Sequence, residues 1–195
     1  MKILIDNGHG HDTPGKRSPD GSLREYAWAR EVANMVCDML QAEGYDASLL
    51  VRELWDVPLS ARCYRANQYD KNDTILVSIH CNAAGDGSRW MRARGWSIFT
   101  TKGITKADAL AECIWDRAKE TFKDPLTVRS YSNDKMGHDY EENFYILLHS
   151  YCPAVLVENF FQDNHEDVEY LLSDEGKATC AEVIVLGIKD YINNP

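Results

Sequence analysis

A chain of 195 residues is long enough for one domain with a full apolar core and too short for two comfortable ones. Its formal charge of -10, from 31 acidic against 21 basic side chains, argues against nucleic acid or an anionic membrane as the main partner, because phosphate binding needs a basic face. No stretch approaches the roughly 20 apolar residues of a membrane span, and the first residues lack the pattern of a secretory signal, so the chain as written is expected to be made as a soluble cytoplasmic protein.

Lys2-Ile3-Leu4-Ile5 reads as a strand that stops at Asp6-Asn7-Gly8-His9-Gly10-His11. A helix is expected from Arg24 to Glu43, with Ala29, Val32, Ala33, Val36, Met39 and Leu40 on one face and Gly44 as its stop. Asp46 to Val51 predicts a second strand, and Pro58 opens a helix that buries Leu59, Cys63 and Ala66. Thr74-Ile75-Leu76-Val77-Ser78-Ile79 is a third strand, ending on His80. A glycine- and arginine-rich loop, Ala84 to Gly95, leads to an aromatic strand, Trp96 to Thr100, and then to a helix from Lys106 to Phe122. Lys123 to Asn143 is polar and without period, as lids and substrate loops often are. Phe144 to His149 predicts a short helix, and Ala154-Val155-Leu156-Val157 a buried strand that ends on Glu158. Asp167 to Leu172 and a helix near Glu175 to Ile192 complete the chain.

Strands alternating with helices predict an α/β fold: a single three-layer domain over residues 1–195, its sheet mostly parallel and twisted, with helices on both faces. No repeat, low-complexity tract or linker interrupts it. Cys37, Cys63, Cys81, Cys113, Cys152 and Cys180 show no Cys-x-x-Cys or finger-like spacing and read as free, buried thiols.

In an open α/β sheet, ligands bind beyond the carboxyl ends of the strands, where His9, His80 and Glu158 would converge. Two imidazoles and a carboxylate there point to a zinc hydrolase. The plainer readings are a loop cap for His9 and a satisfied core histidine for His80. An unpaired carboxylate after an apolar run would be costly, which favours a functional Glu158. In the first turn of a helix Glu25 equally reads as an acidic residue favoured by the helix dipole.

Ile5-Asp6-Asn7-Gly8-His9-Gly10, Glu25, Arg52, Arg62 with Asn67, Ser78-Ile79-His80-Cys81-Asn82-Ala83 and Pro153-Ala154-Val155-Leu156-Val157-Glu158 together resemble the zinc-dependent N-acetylmuramoyl-L-alanine amidases of the amidase_3 type. The resemblance implies that His9, Glu25 and His80 hold one zinc ion and that Glu158 is the catalytic carboxylate. Three protein ligands leave a position open for water, and Glu158 would act first as general base and then as general acid. The implied reaction is hydrolysis of the amide bond between N-acetylmuramic acid and L-alanine of peptidoglycan. The implied setting is a phage-type lysin or a wall-remodelling enzyme: a monomer with no separate cell-wall-binding domain, acting on the wall after release.

The chain departs from the family at three places. His11 stands where the family usually has glycine. A His9-Gly10-His11 chelate would belong to a barrel of typically ~250 residues, so His11 is expected beside the metal site or facing substrate. Asn159-Phe160-Phe161 follows Glu158, where the family commonly has a glycine two positions on. The loop from Ala84 to Arg94 looks longer than the usual connection. Its Arg89 and Arg94 are candidates for binding stem-peptide carboxylates, Trp90 for packing on a sugar or peptide face, and Asn82 for orienting substrate; the alternative is a solvated loop with Trp96 in the core. His138, His149 and His165 are assigned surface or packing roles. The rival activity, a zinc carboxypeptidase-like peptidase, would place a histidine and a glutamate ligand close together in sequence, unlike His9 and Glu25. A binding module without catalysis is disfavoured because all four core residues are present.

Overall fold

Alternating apolar runs close into one mixed sheet in the computed structural model, which describes residues 1–131 and 137–193. The strands are β1 (Lys2–Asn7), β2 (Asp46–Leu49), β3 (Thr74–Asn82), β4 (Ser97–Thr100), β5 (Tyr140–Glu141) and β6 (Ala154–Phe161). The helices are α1 (Glu25–Ala42), α2 (Leu59–Ala66), α3 (Lys106–Thr121), α4 (Tyr145–His149), α5 (His165–Leu172) and α6 (Asp174–Asn193). Strand order is β2-β1-β3-β6-β4-β5. Every pairing is parallel except β4 with β6. The expected mostly parallel sheet is therefore present, with β5 as a two-residue edge strand inside the aperiodic stretch.

Side-chain alternation along each strand divides the interior into two layers. Ile3, Ile5, Ile75, Val77, Ile79, Val155 and Val157 pack with α1, α3 and α6 in the larger core. Leu4, Leu76, Ala154 and Leu156 pack with α2 and α4 in the smaller one. Both faces of the sheet are thus covered, as a near-continuous apolar reading of β1, β3 and β6 requires. In the larger layer α3 and α6 cross closely at Gly187, where a Cβ would lie 2.5 Å from the Ile114 Cα. Any side chain there would force the helices apart. Five of the six cysteines are buried, Cys113 is intermediate, and all are free.

The antiparallel β4 decides what borders the site. β3 and β6 end at the same edge of the sheet, and β4 begins there, with Ser97 opposite Glu158. The loop between β3 and β4 must therefore cross the carboxyl end of β6. Asp163, just past β6, holds it down: its carboxylate accepts the amides of Ala84 and Gly85 at 2.9 and 2.7 Å, and its carbonyl accepts the amide of Met91 at 2.7 Å. Among the described residues no helix is long and apolar enough to cross a membrane.

Candidate metal centre

Three strand ends and one helix start meet at this edge. His9 lies just beyond β1, His80 near the end of strand β3, and Glu25 opens α1; their potential ligand atoms all lie within 4.8 Å of one another. Glu25 Oε1 is 3.3 Å from His9 Nε2 and 3.0 Å from His80 Nδ1. The two imidazoles meet edge to face, with centroids 5.0 Å apart. Both histidines are partly exposed, while Glu25 is buried. Burial alone would push the Glu25 carboxyl up, but hydrogen bonds and charge from His80 and His9 more than reverse this and hold it well below the usual carboxylate range. For His80 burial works downward, yet the hydrogen bond and charge of Glu25 raise it. A carboxylate and two imidazoles drawn together in this way form the donor set of a divalent cation such as zinc. The cradle is tight as well: a Cβ on Gly8 would sit 2.3 Å from the His80 ring.

The candidate ligands are held by a layer of polar contacts that local sequence patterns do not reveal. Gln162 Nε2 donates to Glu25 Oε2 at 2.9 Å and to the Cys81 carbonyl at 3.2 Å. The Cys81 amide donates to Glu25 Oε1 at 3.1 Å. Asn159 Nδ2 donates to the His80 carbonyl at 3.2 Å, and its Oδ1 accepts from the Trp96 indole at 3.2 Å. Such partners fix ligand orientation and basicity. Only the position of Gln162 and Asn159 just past an apolar run ending in a carboxylate could have drawn attention to them.

On the other face Arg62 is buried and holds the turn that carries His9. It donates to Asp6 at 2.8 Å, to the Asn7 carbonyl at 2.7 Å and to the His9 carbonyl at 3.3 Å. Ser78 Oγ donates to the second oxygen of Asp6 at 2.6 Å. The resemblance marks Arg62 without giving it a task; in the structure it completes a buried polar knot under the His9 turn.

Glu158 is paired in register with His80 across β3 and β6. Its side chain is partly exposed, but Oε2 is shut off from solvent with no hydrogen-bond partner among the described residues. Burial raises its pKa to about 8, against the opposing charge of His80. An orphaned buried carboxylate oxygen beside a candidate cation site is a group with a partner still to meet.

The remaining candidates stand farther out. His11 is exposed, with Nδ1 3.1 Å from the Leu54 carbonyl, and is not one of the converging ligands. Asn82 ends β3, where its carbonyl accepts the Gln162 amide at 2.7 Å. Arg89 is exposed, and Trp90 packs on His165 with ring centroids 5.0 Å apart. Arg94 is engaged within the protein by Glu166 and, at 3.5 Å, by Asp167. Trp96 is fully buried. His138 stacks on Trp115 at 3.6 Å and meets Glu112 at 2.6 Å, a packing role. Part of the stretch expected as a lid, residues 132–136, lies outside the described residues.

N-acetylmuramoyl-L-alanine amidase AmiC of Neisseria meningitidis serogroup B is 27% identical across 98% of this chain and 52% of its own length. N-acetylmuramoyl-L-alanine amidase CwlM of Bacillus licheniformis is 28% identical across 89% of this chain and 61% of its own. The chain thus spans little more than half the length of these relatives. Among solved structures, N-acetylmuramoyl-L-alanine amidase AmiC2 of Nostoc punctiforme superposes with a TM-score of 0.83 at 27% identity, covering 100% of this chain and 98% of the other. The family model described as Amidase_3: N-acetylmuramoyl-L-alanine amidase matches residues 3–190, and the chain belongs to that family.

Proposed function

We propose that the protein is a zinc-dependent N-acetylmuramoyl-L-alanine amidase that cleaves the amide between the lactyl group of N-acetylmuramic acid and L-alanine of peptidoglycan. The observation that carries the proposal is the convergence of His9, Glu25 and His80 within 4.8 Å, with Glu158 in register beside His80. Those three side chains would hold the ion, and Gln162 and the Cys81 amide keep Glu25 turned toward it. When bound, zinc polarises the scissile carbonyl and acidifies water. Glu158 then takes a proton from the attacking water and returns it to the departing amine of L-alanine. An adjacent cation favours the ionised form of a carboxylate, so the raised pKa of Glu158 falls toward the range of a base on loading.

Digestion of purified sacculi tests the bond: intact stem peptides and peptide-free glycan are expected, whereas release of carboxyl-terminal amino acids alone would identify a peptidase. Glu158→Ala is expected to keep zinc and lower turnover by about 100- to 10,000-fold, while Glu25→Ala loses the ion. The opposite pattern would reverse the two roles. Chelation should abolish activity and added zinc restore it. For the setting, a phage-type lysin acting as a monomer is the first reading and a wall-remodelling enzyme the second. Rapid clearing of permeabilised cells by the purified protein is the outcome the first requires.

A further inference from the structure

Beside the metal cluster the chain inverts its own charge. The protein carries -10 overall, yet Lys16, Arg17 and Arg24 line one cleft of about 310 Å³, with His11 and Tyr26 on its wall. The backbone that bears them is the backbone that presents Glu25. Arg17 and Arg24 face each other on an antiparallel bridge, and the Glu25 amide donates to the Lys16 carbonyl at 3.1 Å.

Several other cations of this protein are paired internally, Arg62 with Asp6, Arg65 with Glu53 and Arg117 with Asp190. Among the described residues, Lys16, Arg17 and Arg24 form no ion pair; Arg24 lies over the Tyr26 ring at 5.8 Å. Asp12, the acid in the cleft, has its carboxylate engaged by the Asp56 amide at 2.7 Å. Three like charges held together against the single carboxylate of Asp12 leave the cleft with a positive excess that suits an anion from outside. The volume of the cleft fits one or two residues of a ligand, not a glycan strand.

We propose that this cleft is an anion subsite that takes a carboxylate of the stem peptide, on the departing side of the scissile amide. The proposal rests on the peptidoglycan reading above. Guanidinium groups match carboxylates in bidentate geometry, and Lys16 adds a point charge. His11, the departure from the family's glycine, forms a wall fixed by its amide and ring contacts to the Leu54 carbonyl at 2.8 and 3.1 Å.

Calorimetric titration of the zinc-loaded protein with the free stem tripeptide tests the subsite without turnover. One preparation of the peptide has free carboxylates and the other has them amidated. Amidation should weaken binding about tenfold, the worth of one charge-assisted hydrogen bond. Lys16→Gln with Arg24→Gln should weaken the free-acid peptide about tenfold and erase the difference between the two peptides. Lys16→Arg with Arg24→Lys should retain it. Equal binding of both peptides by the unaltered protein overturns the subsite, as does an equal loss for both in the double variant. If that variant does not fold, the comparison on the unaltered protein decides alone. Sacculus digestion reads the amidase separately: intact stem peptides with no carboxylate dependence remove only the subsite, and carboxylate-dependent binding without their release removes only the amidase.

Discussion

His9 and Phe160 are the non-glycine residues with positive φ among the described residues, at 63° and 61°. Each turns the chain near a strand end that carries chemistry, His9 just beyond β1 at the first metal-ligand candidate and Phe160 within the last residues of β6, two residues after Glu158. The left-handed conformation costs an L-residue about 1–2 kcal/mol, and the two sites offset it by different means. His9 is held by polar contacts, its carbonyl accepting from Arg62 at 3.3 Å and Arg30 at 3.2 Å. Phe160 is held by packing: it is fully buried, its ring edge-on to Phe122 at 5.0 Å and to Tyr170 at 5.4 Å. A directional side chain such as His9 needs a fixed backbone on a partly exposed turn, where hydrogen bonds are the available restraint. The bend after Glu158 lies over the core, where an aromatic side chain can take a glycine's place.

Breaking the polar restraint should have the larger effect. Arg62→Met leaves the buried Asp6 carboxylate without its cation and strips the Asn7 and His9 carbonyls of donors. Removing one partner of a buried ion pair costs about 3–5 kcal/mol. Urea denaturation should read that loss, and zinc stoichiometry should fall with it because the His9 turn is no longer pinned. An Arg62→Met protein with unchanged stability and full zinc content would show that the turn holds itself.

Breaking the packing restraint gives a different pattern. Phe160→Ala should cost about 3–5 kcal/mol through the cavity it leaves. Alanine still carries the left-handed penalty, which glycine does not, so Phe160→Gly should be about 1 kcal/mol more stable than Phe160→Ala. That reverses the usual order of the two residues in an ordered segment. Chemical denaturation of both variants checks it, and the usual order would mean that φ relaxes when the ring is removed.

The legibility of the sequence follows the same division between local and long-range causes. The strands ending on His9, His80 and Glu158 were visible because each is a local apolar run with a polar stop. The helix from Glu25 was visible from its 3.6-residue period, but Glu25 as a metal-ligand candidate came only from the family resemblance, since an acidic first turn is common anyway. The strand β4 was visible but its antiparallel direction was not, and neither was the two-residue β5. Strand direction and edge pairing depend on partners remote in sequence, and Tyr140–Glu141 is too short to show alternation. The reading of β6 stopped at Glu158, although the strand runs on to Phe161, and this hid Asn159 and Gln162. Their partners, His80 and Glu25, are set by the fold and not by neighbours in sequence.

Gln162 therefore offers a smaller and more selective test. Gln162→Leu removes the donor to Glu25 Oε2 while keeping most of the side-chain volume. Loss of such a supporting contact lowers metal affinity about 10- to 100-fold. Competition with a chromophoric chelator measures that shift. A variant with wild-type affinity would leave the Cys81 amide as the sufficient restraint on Glu25.

The gentlest probe is the proton on Glu158. Burial raises its pKa to about 8 in the metal-free protein, so the protonated form is the one the native state favours. Stability from this group is fully present below the unfolded carboxyl pKa, roughly 4.3, and is lost as the pH rises through about 8. Glu25 works in the opposite sense: its depressed pKa contributes stability above the unfolded value, lost only as the pH falls well below it. The metal-free protein should thus lose part of its stability between mildly acidic pH and pH 8, with Glu158 contributing beside the raised His80. Glu158→Gln, which cannot ionise, should flatten that slope. Zinc should flatten it too, by pulling the titration of Glu158 downward. Carboxyl-carbon NMR of the metal-free and zinc-loaded forms follows the proton directly. A midpoint that does not move on loading would separate Glu158 from the ion and remove it as the base.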